Sequence, residues 1–172
     1  MKIGLCYDLQ DTYQISGNAV YKDFSFLSEV EYVECCLKKS GHNVILINGI
    51  KEFVKNIFQY KKDCDIIFNM IEGYKSRNRE GLVPALCEAF DIAYTGTDAF
   101  GMSLSLNKYY INRVIESFGI KTPKANLIDY PCSDINSLLK LELSFPCVIK
   151  PNNEGSSMGV ALVKTELELL DK

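Results

Sequence analysis

The densest chemistry in the sequence lies in the run Phe145-Pro-Cys-Val-Ile-Lys-Pro-Asn-Asn-Glu-Gly-Ser-Ser-Met-Gly-Val160. An apolar stretch delivers Lys150 at its end, and Pro151 opposes continuation of the strand. A half-buried ammonium needs an anionic partner, and a phosphate qualifies. Just beyond, Gly155-Ser156-Ser157-Met158-Gly159 can form a turn whose N–H groups and hydroxyls wrap phosphate oxygens, because glycine lets the main chain approach closely. The order is not that of a P-loop, where the lysine follows the glycines and a helix begins at once. The competing reading is an exposed lysine beside an ordinary glycine hairpin.

Two further groups join this run. Lys108 falls in the first turn of a helix expected over Ser105–Phe118, where the dipole disfavours a cation unless an anion sits beside it. The cost is small, so on this cue alone a solvated surface lysine is the better reading. The segment Glu72-Gly73-Tyr74-Lys75-Ser76-Arg77-Asn78-Arg79-Glu80-Gly81 puts carboxylates and guanidinium groups in one loop, suited to gripping a zwitterion or simply solvated. His42 is the only histidine, so no Ser/His/Asp or Cys/His set can be assembled.

The elements that would carry these residues alternate. Lys2–Tyr7, Asn43–Ile47 and Asp65–Asn69 read as strands. A helix should start at Ser28, where Ser28 and Glu31 make a capping box and Val30, Val33 and Leu37 recur with helical period. A second is expected over Ile50–Tyr60, with Val54 and Phe58 inward, and a third after Gly81, with Leu86 and Phe90 inward. Strands separated by helices predict a parallel α/β sheet. Loops 72–81 and 8–26 then fall at the carboxyl ends of strands, where such sheets collect ligands. A long loop like 8–26 is functional or disordered.

Beyond Tyr94-Thr95-Gly96-Thr97 the pattern changes. It gives a helix with Leu106, Tyr110, Val114 and Phe118 on one stripe, ended by Gly119. A strand at Lys124–Ile128, a helix at Asp134–Leu141, and strands at Cys147–Lys150 and Val160–Val163 follow. This predicts a Rossmann-like domain over 1–97 and a small α+β lobe over 98–172.

The chain has 172 residues with net charge −3, 47% of them hydrophobic. That balance argues against a nucleic-acid footprint, and no apolar run is long enough to span a membrane. No secretory leader is visible at the N-terminus. The seven cysteines, Cys6, Cys35, Cys36, Cys64, Cys87, Cys132 and Cys147, show no CxxC spacing. An odd set without that spacing fits buried thiols in a reducing cytoplasm better than a disulfide framework or a zinc site.

Taken together, these motifs resemble the D-alanine–D-alanine ligase family of the ATP-grasp superfamily. The likeness runs through Phe68-Asn69-Met70-Ile71-Glu72-Gly73, Val83-Pro84-Ala85-Leu86, Tyr94-Thr95-Gly96-Thr97-Asp98-Ala99, Leu106-Asn107-Lys108, Gly119-Ile120-Lys121-Thr122-Pro123 and Phe145 to Val160. It covers about residues 65–164, in order and at family spacing. It implies a pre-ATP-grasp domain followed by the first lobe of an ATP-grasp domain, with the second lobe absent. It also implies that Lys108, Lys150, Glu154, Gly155, Ser156, Ser157 and Gly159 bind ATP, and that Glu72, Glu80 and Ser157 face the amino-acid substrate. Magnesium would accompany ATP, with its ligands in the absent half, so no metal ligand is assigned here. The partners implied are small molecules, with a homodimer left open.

The chain departs from the family in two places. Glu72-Gly73 stands where a His-Gly pair is common, and Tyr7-Asp8-Leu9-Gln10-Asp11 replaces a glycine-rich turn followed by glutamate and serine. Both departures fall on the amino-acid side. A ligase for another amino acid or peptide, and a nucleotide- or amino-acid-binding module without turnover, are therefore the alternatives. Thr165 and Glu168 form a capping box barely one turn before Lys172. The expectation is the front half of a ligase, inactive alone.

Overall fold

The computed structural model describes residues 1–13, 24–128, 141 and 143–171. The chain divides into two compact units, Met1–Leu104 and Ser105–Lys172.

In the first unit, β1 (Lys2–Tyr7) is the middle strand, with β2 (Asn43–Asn48) on one side and β3 (Ile66–Met70) on the other. All pair in parallel, and Leu5 lies opposite both Leu46 and Phe68. Every residue of β1 after Lys2 is buried. That is why Ile-Gly-Leu-Cys-Tyr is continuously apolar: a strand covered on both faces has no solvent side to alternate with. Leu5 and Tyr7 pack on Val30 of α1 (Leu27–Lys39). On the opposite face Cys6 joins Ile47, Phe53, Ile67, Val83 and Cys87, drawn in part from α2 (Gly49–Lys55) and α4 (Leu82–Ala89). Helices thus cover both faces, as the alternating pattern predicts. Tyr94 extends the sheet beyond β3 through a parallel bridge to Ile67.

Several local expectations are corrected. Helix α1 starts at Leu27 rather than Ser28, and in place of the expected box Glu29 ties its start, its Oε2 accepting the Phe26 N–H at 2.8 Å. The helix expected over Ile50–Tyr60 is two, α2 and α3 (Ile57–Asp63), broken at Asn56. The Asn56 amide donates to Glu52 Oε1 at 2.6 Å. The inward face keeps its helical period across the break but lies one residue off the expected stripe: Phe53, Ile57 and Tyr60 are buried, while Val54 and Phe58 stand 48% and 70% exposed. In α4, Val83, Pro84 and Cys87 are the fully buried positions, with Leu86 and Phe90 packed at the cluster's margin. Of the cysteines, Cys6, Cys64 and Cys87 are buried, but Cys35 and Cys36 lie on the outer face of α1.

The helix expected over Ser105–Phe118 is also two, α5 (Ala99–Leu106) and α6 (Lys108–Ser117). Asn107 interrupts them and caps α6, its Oδ1 accepting the Tyr110 N–H at 3.0 Å. The single stripe is therefore split: Leu106 is buried, whereas Tyr110, Val114 and Phe118 are exposed.

In the second unit, β4 (Cys147–Ile149) and β5 (Ala161–Val163) pair antiparallel, with Cys147 opposite Val163. Thr165 caps the last helix as read, its Oγ1 accepting the Glu168 N–H at 3.3 Å, but the box is not reciprocal: Glu168 Oε2 accepts the Lys164 N–H at 2.7 Å rather than that of Thr165. Lys124–Ile128 joins no ladder among the described residues, so the strand expected there is not formed. The helix expected at Asp134–Leu141 lies outside the described residues, apart from Leu141. Among the described residues no helix is long and apolar enough to cross a membrane.

Candidate functional site

Two clusters collect the chemistry, one in each unit. In the second unit, the segment between β4 and β5 and the start of α6 enclose a cleft of about 350 Å³. Lys108, Lys150, Glu154, Gly155, Ser156 and Ser157 all line it, with Met158 and Val160. That size is within the range of small-ligand sites.

The two lysines exchange the roles their sequence context suggests. Lys150, at the end of β4, is exposed; Lys108 is the half-buried one. The Lys108 ammonium donates to the main-chain oxygen of Glu154, and its backbone N–H donates to the Asn152 oxygen at 3.1 Å. Asn152 Oδ1 accepts the Tyr109 N–H at 2.9 Å. The first N–H groups of α6 are thereby bonded within the protein, so the cationic character of the cleft lies in the Lys108 and Lys150 side chains rather than in an open helix end.

The turn itself differs from the glycine-led expectation. Gly155 is not left-handed; Ser156 and Ser157 are, at φ 43° and 60°, followed by Gly159 at φ 66°. The Met158 N–H closes the turn on the Gly155 oxygen at 2.9 Å. Two successive positive-φ residues make this a type I′-like turn, normally built from glycine and asparagine. Backbone strain therefore sits on the two serines. Gly159 is required for a separate reason: a Cβ there would lie 2.7 Å from Pro151 Cγ. The turn folds back against the segment that carries Lys150.

In the first unit, the carboxyl ends of β1 and β3 meet around Asp8. This carboxylate is fully buried. It accepts the Glu72 N–H at 3.3 Å, the Gly73 N–H at 2.8 Å and the Tyr13 hydroxyl at 2.9 Å. Burial raises its pKa, and these hydrogen bonds oppose the rise. Tyr13, in a short 3-10 turn over Gln10–Tyr13, is pushed up by burial and by the neighbouring Asp8. Its ring stacks on Phe24 at 5.2 Å and lies 5.6 Å from Tyr74. Gly73 holds φ 74°, and a Cβ on it would meet the Arg79 backbone oxygen at 2.8 Å. Arg79 is buried here, with Nη2 3.9 Å from Glu80 Oε1. So Glu72 and Glu80 lie at the two ends of a loop fixed by Asp8 and Gly73. The middle of loop 8–26 lies outside the described residues.

A family profile described as "D-ala D-ala ligase C-terminus" matches residues 116–172. The D-alanine–D-alanine ligase of Xanthomonas axonopodis pv. citri is 32% identical over 77% of this chain and 42% of its own length. The chain belongs to the D-alanine–D-alanine ligase family.

Solved structures of the D-alanine–D-alanine ligase from Bacillus anthracis share the fold. One has a TM-score of 0.73 at 23% identity, covering 99% of this chain and 52% of that one. A second, described as complexed with ATP, has a TM-score of 0.69 at 22% identity, covering 99% and 51%. The chain thus spans about half the length of the ligases it matches. The family profile takes in Lys150 and the Ser156–Ser157 turn, while Lys108 lies before it.

Two residues central to the geometry, Asp8 and Asn152, are not evident as site residues from the sequence. Asp8 had one available signal, a carboxylate at the carboxyl end of an entirely apolar strand. Asn152 had none, because its partner Tyr109 lies 43 positions earlier.

Proposed function

We propose that the chain supplies the phosphate-binding part of an ATP-dependent carboxylate–amine ligase. The ligase joins two D-alanines in the synthesis of peptidoglycan precursors in the cytoplasm. The observation that carries the reading is the convergence of Lys108, Lys150 and the Gly155–Ser157 turn on one cleft. Two ammonium groups and a turn rich in N–H donors fit a polyphosphate, whose charge they offset. On this reading residues 1–97 are the pre-ATP-grasp domain and 98–172 belong to the first ATP-grasp lobe.

The chemistry suits such donors. A substrate carboxylate oxygen attacks the terminal phosphorus of ATP and releases ADP, leaving an acyl phosphate. The second amine attacks the acyl carbon, loses a proton and expels inorganic phosphate. Lys108, Lys150 and the Ser156–Ser157 turn stabilise charge on the transferring phosphoryl. Glu154 positions Lys108 through its carbonyl, and Gly159 seats the turn on Pro151. Glu72 and Glu80, with Ser157, are assigned to the amino-acid side. Magnesium is the expected companion of ATP. Among the described residues no cluster of His, Cys, Asp or Glu can hold a metal ion, so no role here is routed through one.

A second reading, a related ligase for another amino acid or a peptide, is favoured by Asp8. That carboxylate is engaged with backbone N–H groups, and the loop it fixes presents acidic residues at both ends. Phosphate release by the product of the complete gene, given ATP, magnesium and a panel of amino acids, separates the two. Release dependent on D-alanine supports the first reading, and release with another amino acid alone supports the second. Given the share of its relatives that it spans, the 172-residue chain by itself should release no phosphate.

A further inference from the structure

The two lysines of the cleft come from distant parts of the second unit, and one residue joins those parts. Lys150 sits on the segment leaving β4, and Lys108 is the first residue of α6. Asn152, two positions past Lys150, bonds α6 twice. Its carbonyl accepts the Lys108 N–H at 3.1 Å, and its side-chain Oδ1 accepts the Tyr109 N–H at 2.9 Å. Two positions further on, the Glu154 oxygen takes the Lys108 ammonium. The opposite side of this segment is packed too, since Gly159 lies against Pro151.

We infer that Asn152 is a positioning residue for nucleotide binding: it sets Lys108 in register with Lys150 across the cleft. The inference rests on the proposed nucleotide reading and adds to it a residue that need not touch the nucleotide. The physical reason is geometric. A lysine side chain is long and loses much rotamer freedom when fixed, so the place of its Cα decides which anions it can reach. Here that place is fixed by two hydrogen bonds to one asparagine. Replacing the side chain by alanine removes the acceptor of the Tyr109 N–H and lets the first turn of α6 shift or fray.

The test is a double-mutant cycle read as affinity for a non-hydrolysable ATP analogue, by calorimetry on the product of the complete gene. Asn152→Ala should weaken binding roughly three- to tenfold, as for one lost hydrogen bond. In a Lys108→Ala background the same change should have no further effect, because its influence passes through Lys108. In a Lys150→Ala background it should act in full. Amide hydrogen exchange should speed up at Lys108 and Tyr109 in Asn152→Ala. Asn152→Ser, a milder truncation, is measured beside it in case the alanine variant does not fold, with the same expectations. An equal loss of affinity in both lysine backgrounds would mark a general structural role and overturn the inference. If Lys108→Ala and Lys150→Ala both leave affinity unchanged, the nucleotide reading itself fails, and the inference with it.

Discussion

The buried carboxylate of Asp8 accepts the backbone N–H of Gly73, 65 positions later, at 2.8 Å. This bond ties the end of β1 to the loop after β3 and so fixes the main chain on which Glu72 and Glu80 are carried. It predicts that Asp8→Ala destabilises the first unit by about 2–4 kcal/mol, since the Glu72 and Gly73 N–H groups and the Tyr13 hydroxyl lose their acceptor in a buried place. Denaturant unfolding measures this. A change below about 0.5 kcal/mol would show that the latch contributes little.

The same carboxyl makes stability depend on pH. Burial raises its pKa above the ordinary 3.8. The folded state therefore holds the proton more tightly than the unfolded state. Across the interval from 3.8 up to the raised value, Asp8's contribution to stability falls as pH rises. The thermal midpoint of the wild type minus that of Asp8→Asn, followed from about pH 3 to 7, should decline. A difference that grows with pH would contradict the assignment.

Thiol reactivity should follow burial. Cys6 and Cys87 are enclosed, and burial pushes both thiols up, Cys87 to about 12. Little thiolate is present there at neutral pH, whereas Cys35 and Cys36 are exposed on α1. Alkylation of the native protein followed by peptide mapping should label Cys35 and Cys36 first, and Cys6 and Cys87 only on unfolding. Early labelling of Cys6 would show that the sheet opens.

The strain on the serine turn is measurable. Ser157 holds φ 60° where glycine is the unstrained choice. Ser157→Gly should stabilise the second unit by roughly 0.5–1 kcal/mol, the relief of a left-handed conformation less the chain entropy of glycine. A lower thermal midpoint would mean that the hydroxyl contributes more than the strain costs.

Much of the fold was legible in the sequence because its signals are local. Alternating strands and helices, the unbroken apolar run of β1 and the Thr165 cap each depend on a few neighbouring residues. Two of the corrections fall where a single polar residue interrupts a helix. Asn56 and Asn107 each divide one expected helix in two; the stripe through Leu106 loses burial beyond Asn107, whereas around Asn56 the buried face is Phe53, Ile57 and Tyr60, one residue off the stripe read through Val54 and Phe58. The cleft was legible as a set of residues, since Lys108, Lys150 and the Gly155–Ser157 turn come together as read. Which lysine would be half-buried and which turn residues would be strained depended on long-range contacts. Asn152 reaching Tyr109 and Glu154 reaching Lys108 leave no periodic trace.

The central claim is that the Lys108–Lys150 cleft holds the phosphates of ATP. Equilibrium binding of a non-hydrolysable ATP analogue to the product of the complete gene, compared with Lys150→Ala, tests it most directly. Losing one charge-assisted contact to phosphate should weaken binding roughly tenfold to a hundredfold, with the thermal midpoint of the unliganded protein nearly unchanged because Lys150 is exposed. Equal affinity in the two proteins would contradict the account.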